Sequence, residues 1–157
     1  MSNETQEDAQ AAYTRGTNHV IKNDYDNAIK EFTEAIRLAP DYAGAYSTRG
    51  SVYLQIGEHD KGANDLTKAI SLNPNDSGNY RNRGIAYIQS GQTDQGINDL
   101  NEAIKINPND YIALMSRGTA YWISKQNDKA KIDLEKVISL NPDSTTLSQV
   151  QNILRQL

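Results

Sequence analysis

All four prolines of the chain, Pro40, Pro74, Pro108 and Pro142, lie 34 residues apart, in the settings RLAPD, SLNPN, KINPN and SLNPD. Proline has no backbone N–H and clashes with a continuing helix, so each marks a helix stop and a turn. A unit that returns on such a period is built several times over, and most folds have no room for that regularity. The 157 residues suffice for one domain or a short array of repeats.

Between prolines the apolar residues follow a helical period. Ala28, Phe32, Ala35 and Ile36 share one face, as do Leu66, Ala69 and Ile70. A second break falls inside each unit, at KNDYD, IGEHD, SGQTD and SKQND, where small and polar residues favour a tight connection. The spacing predicts two antiparallel helices per unit, each of about 14 residues. Arg-Gly recurs at 15–16, 49–50, 83–84 and 117–118, and three residues after each glycine stands His19, Tyr53, Tyr87 or Tyr121.

Sixteen residues beyond each arginine comes an acid: Arg15 with Glu31, Arg49 with Asp65, Arg83 with Asp99, and Arg117 with Asp133. Across a helical hairpin that distance lets the two meet, either between the paired helices or at the adjacent repeat. The arginines could instead form a ladder gripping external carboxylates or phosphates. A planar guanidinium fork suits a fixed carboxylate, and every rung has its acid, which favours structural ion pairs.

Sixteen basic residues against twenty acidic ones give a net charge of −4. Nucleic acid is therefore not an expected partner, because no basic stripe could displace its counterions. Hydrophobic residues at 37% describe a chain that folds. Cysteine is absent, which removes disulfides, thiolate nucleophiles and cysteine metal sites. The acidic start MSNETQEDAQ has no secretory character, so cytoplasmic residence is expected and residues 1–8 are expected to be disordered. No apolar run approaches the roughly 20 residues of a membrane helix, so no membrane insertion is expected.

Catalysis finds little to stand on. The two histidines, His19 and His59, fill slots that hold tyrosine in other units, which reads as packing. The carboxylates recur in fixed slots, as solvated faces and helix caps do, and no phosphate-binding, zinc-protease or calcium-loop spacing occurs. No enzyme activity, cofactor or metal is expected.

The recurring slots resemble the tetratricopeptide repeat, whose signature is W-x2-L-G-x2-Y, then A-x3-F, then Pro. The Trp slot holds Ala12, Tyr46, Tyr80 and Leu114, and the Gly slot holds Gly16, Gly50, Gly84 and Gly118. The A-x3-F pair reads Ala28/Phe32, Gly62/Leu66, Gly96/Leu100 and Ala130/Leu134. The Leu slot departs from the family, being arginine in all four units. The resemblance implies an all-α, right-handed superhelical solenoid of antiparallel helix pairs. Its repeats would span 9–42, 43–76, 77–110 and 111–144, with residues 145–157 following as a capping helix.

The resemblance also implies that the first helix of each pair lines a concave face used to hold another protein's peptide or amphipathic helix. The inward slots then include Tyr13, Thr17 and Ile21; Ser47 and Leu54; Arg81, Ile85 and Ile88; and Ile112, Met115 and Trp122. Arg81 is the only charge among the inward slots. A carboxylate clamp of the chaperone-tail type is not matched, because Tyr13, Ser47 and Met115 stand where basic residues would be wanted. The apolar end, with Trp122 beside Met115, has the composition of an adaptable anchor site. The stretch TTLSQVQNILRQL sets Leu147, Val150, Leu154 and Leu157 at helical steps. It can cap the last repeat and cover Trp122, or lie in a neighbouring molecule as a guest helix. A homo-oligomer joined through this helix or an end repeat is the alternative to a peptide-binding scaffold.

Overall fold

The computed structural model describes residues 3–157, and among them every regular element is helical. The order is α1 (Asn3–Ile21), α2 (Tyr25–Leu38), α3 (Ala43–Gln55), α4 (His59–Leu72), α5 (Ser77–Gln89), α6 (Thr93–Ile106), α7 (Tyr111–Ile123), α8 (Asn127–Ser139) and α9 (Ser144–Leu154). Helices α1 to α8 form four antiparallel hairpins, each packed on the next in an all-α solenoid. Of residues 1–8, expected to be disordered, 3–8 are helical and 1–2 lie outside the described residues. Ala9 and Ala12 are buried, which anchors the helix, and the polar residues before them continue it by one more turn and a half.

Each hairpin turn reverses through a left-handed residue in the same slot: Asn23 (φ 57°), Gly57 (84°), Gly91 (80°) and Lys125 (60°). Glycine takes this conformation without cost and asparagine tolerates it, whereas lysine is strained there. Between hairpins, Ala39, Asn73 and Asn107 end their helices in extended backbone, as the residue before a proline should. Aspartates then restart the chain. Asp24, Asp76, Asp110 and Asp143 each accept from a backbone N–H in the first turn of α2, α5, α7 and α9.

Inside each hairpin, Phe32, Leu66, Leu100 or Leu134 is fully buried against the glycine of the partner helix. The helices come so close that a Cβ placed on Gly96 would lie 2.6 Å from the Gly84 carbonyl oxygen. Successive odd-numbered helices also touch, α3 on α5, α5 on α7 and α7 on α9, and no comparable contact joins the even-numbered ones. The odd helices therefore crowd onto one face, which is the inner side of the curve.

The last junction breaks the pattern. The pentapeptide ISLNP occurs twice, at 70–74 and 138–142. In the first copy Asn73 is extended, with φ −138°. In the second Asn141 is left-handed, with φ 50°, and α8 stops one residue earlier than α4 does. Beyond this junction Val150 and Ile153 of α9 pack with Leu114, Leu134 and Val137. Identical local sequence takes two backbones, so tertiary packing decides between them.

Candidate protein-interaction face

The arginine ladder lies at the seam between hairpins. Arg49 closes a fork on Asp65, with Nε–Oδ2 at 2.7 Å and Nη2–Oδ1 at 2.8 Å. Arg83 does the same to Asp99 and Arg117 to Asp133. The remaining nitrogen, Nη1, donates to the preceding hairpin: to Thr33 Oγ1 from Arg49, Thr67 Oγ1 from Arg83 and Asn101 Oδ1 from Arg117. Each arginine thus ties its own hairpin together and fastens it to its neighbour. The carboxylate hydrogen bond, above all, raises the pKa of Arg49, Arg83 and Arg117. Arg49 lies between the rings of Tyr46 and Tyr53, and Arg83 between those of Tyr80 and Tyr87. The Arg15–Glu31 pair is more exposed. The acceptors Thr33, Thr67 and Asn101 went unread in the sequence, although they stand sixteen residues before each arginine.

Several inward residues are engaged within the protein. Tyr13 packs against Phe32 and Tyr42 and shares a hydrogen bond with Thr48. Thr17 donates to the Thr14 carbonyl, and Ser47 to Asn79. Leu54 fills the space over Gly62. Arg81 is not a free charge: its Nη1 donates to Asp110 Oδ2 at 2.8 Å and its Nε to Asn82. Because Asp110 also caps α7, Arg81 props one hairpin against the next. Trp122 is half-buried against the cluster that Leu114, Leu134, Val137, Val150 and Ile153 form. Ile21 stands alone and exposed.

What stays open is a depression of about 450 Å³ between α5, α7 and the start of α9. It brings together Ile85, Ile88, Ile112, Met115 and Ile123, with Tyr111 and Thr146 at its edge, while Trp122 lies outside the lining. Ile112 is 43% exposed and Ile123 is 64% exposed. No acidic or basic side chain lines it. A second hollow of about 710 Å³ lies where α1 meets the α2–α3 corner. Glu7, Gln10, Asp41 and Tyr42 line that one together with Ala9, Ala39 and Ala43, and Tyr42 already donates to Gln10, so a guest there would have two carboxylates to desolvate. His19 bonds the capping Asp24, while His59 has its Nδ1 buried without a partner.

Family profiles described as tetratricopeptide repeat match residues 43–76, 78–110 and 111–144, and one described as TPR repeat matches 16–57. The chain belongs to the tetratricopeptide repeat family. Solved structures similar to it include a crystal structure of MamA, at TM-score 0.81 and 25% identity, over 84% of this chain and 77% of that one. A MamA from Desulfovibrio magneticus RS-1 matches at TM-score 0.80 and 23% identity, covering 85% of this chain and 75% of its own. YrrB, described as a TPR protein with an unusual peptide-binding site, matches at 0.80 and 23%, covering 92% and 74%. None of the curated proteins compared with the chain matches it. The family and its neighbours make this a protein-interaction repeat module. Among the described residues no helix is long and apolar enough to cross a membrane.

Proposed function

We propose that this module holds a partner peptide, extended or helical, by seating two or more aliphatic side chains in the depression between α5, α7 and α9. The observation that carries the reading is the exposed pair Ile112 and Ile123 on an inner face with Ile85, Ile88 and Met115 beneath. Monomeric proteins seldom leave such apolar groups clustered in a concavity without use. The lack of charge in the lining implies an uncharged apolar segment, because a carboxylate or ammonium would lose its water with no counter-charge in return. Met115 can change shape to suit different side chains.

Stacking through the first hairpin is the weaker reading. The outer face of α1 carries exposed Ala11, Thr14 and Asn18, in the slots where Ala45 and Val52 are buried on the preceding hairpin. The test is selection from a library of short random peptides displayed on phage, followed by titration of the selected peptide. Ile112→Asp, at an exposed position, should abolish binding and leave thermal unfolding nearly unchanged. Affinity should also hold when salt is raised. Binding that survives Ile112→Asp, or that vanishes with salt, would refute the assignment.

A further inference from the structure

We infer that the guest of the depression is an extended strand whose main chain is bonded by Gln89, Ser116 and Thr119, which rests on the depression holding a peptide. Other polar side chains of the odd-numbered helices are engaged inside the protein. Gln55 donates to Tyr25 Oη, Thr48 to the Gly44 carbonyl, Ser51 to the Ser47 carbonyl and Asn82 to Ser51 Oγ. Gln89 stands one repeat after Gln55, Ser116 one repeat after Asn82, and Thr119 two repeats after Ser51. In these same slots, none of the three side chains has a hydrogen-bond partner among the described residues. All three line the depression, so unmet donors and acceptors converge on an apolar hollow that holds no charge.

A guest that covers these groups removes their water, and a polar group buried without a partner is costly. Aliphatic side chains offer no partner. A helical guest offers little more, because its interior N–H and C=O groups are bonded along its own axis. An extended guest leaves its main-chain groups open, with the N–H and C=O of one residue pointing to the same side. A carboxamide both accepts and donates, so Gln89 can take both groups of one guest residue at once. The hydroxyls of Ser116 and Thr119, three residues apart on one face of α7, can each donate or accept beside it. An extended chain also turns alternate side chains to one face, about 7 Å apart. The aliphatic side chains that enter over Ile88, Ile112 and Met115 therefore belong to guest residues i and i+2. A helical guest would place them at i and i+3 or i+4.

The test uses the full chain and the phage-selected peptide, with one peptide bond at a time replaced by an ester. An ester keeps the shape of the main chain but lacks the N–H. The ester that removes the N–H facing Gln89 should weaken binding about tenfold, as should Gln89→Met, which keeps the length without the amide. Gln89 is exposed and bonds nothing within the chain, so its replacement leaves the fold unchanged. In the Gln89→Met chain that ester should cost nothing more, because both changes remove the same bond. Thr119→Val, equal in shape, should weaken binding about threefold. Selected sequences should carry aliphatic residues two apart, and circular dichroism should show no helix gained by the peptide on binding. A peptide that turns helical on binding, aliphatic residues spaced three or four apart, or esters and Gln89→Met without effect would overturn the inference. Ile112→Asp tells the two failures apart. If it abolishes binding while the amide changes do nothing, the depression holds its guest in another form; if binding survives it, the depression is not the site and both readings fall.

Discussion

Gly96→Ala puts two well-known effects in opposition, and the structure decides their sum. In an open helix the change stabilises by about 1 kcal/mol, because alanine is the better helix former. Here the new Cβ would lie 2.5 Å from Ile88 Cγ1 and 2.6 Å from the Gly84 carbonyl oxygen. The second contact is backbone, about 0.8 Å short of the 3.4 Å at which ordinary contact begins, so no rotamer change relieves it. Helices α5 and α6 must part, which loosens Leu100 and strains the Arg83–Asp99 fork that spans them. Overpacking of this kind costs about 1–3 kcal/mol, and a gap of that width forfeits a quarter to a half of each dispersion contact along the seam. The net prediction is a loss of up to about 2 kcal/mol, a fall in Tm of up to about 8 °C for a chain of this size. Calorimetry reads it directly. Adding Ile88→Val should recover part of the loss, because the first hairpin accommodates Ala28 beside Val20 in the same two slots. A Gly96→Ala chain that melts higher than the parent would refute the close-approach account.

Arg83→Leu leaves Asp99, itself 8% exposed, without its cation, and should cost about 3 kcal/mol in urea unfolding. Arg83→Leu with Asp99→Leu should regain more than half of that; additive losses would show the two are not partners. Lys125→Gly should stabilise by about 0.5–1 kcal/mol by relieving a strained φ of 60°, whereas Gly57→Ala, at φ 84° in the same slot, should destabilise by about 1 kcal/mol although nothing crowds it. Hydrogen bonds from the Thr146 side chain and backbone hold the Asp143 carboxyl below its ordinary pKa. A depressed acid contributes its stability above its unfolded pKa of about 4 and loses it as pH falls through the folded value. Acidification below about pH 4 should therefore loosen α9 first, seen as a change in Trp122 fluorescence, and Asp143→Asn should flatten that response.

The fold was legible in the sequence because repetition multiplies weak signals. One proline is a turn, but Pro40, Pro74, Pro108 and Pro142 on one period leave a helical array as the economical reading. Arginine and acid sixteen residues apart could likewise be matched four times over. Features that occur once stayed hidden. The Arg81–Asp110 bridge spans 29 residues in a single place, so nothing in the pattern separated Arg81 from a free groove charge. Trp122 was assigned to the groove by its slot, yet its ring packs against a cluster that includes Val150 and Ile153 of α9, whose rotation no local rule gives. The ISLNP copies make the reason concrete: the same five residues take different backbones when the next helix packs differently. The depression itself comes from the approach of α5, α7 and α9, a tertiary property that only the assembled helices display.

The central claim is that the aliphatic end of the inner face takes the partner. Methyl NMR of the chain with the phage-selected peptide tests it most directly, because isoleucines lie both in the depression and far from it. The account predicts shifts confined to Ile85, Ile88, Ile112, Met115 and Ile123, with Ile21 and the exposed Ile132 of α8 unmoved. Shifts centred on Ile132 or Ile21, with the depression silent, would contradict it.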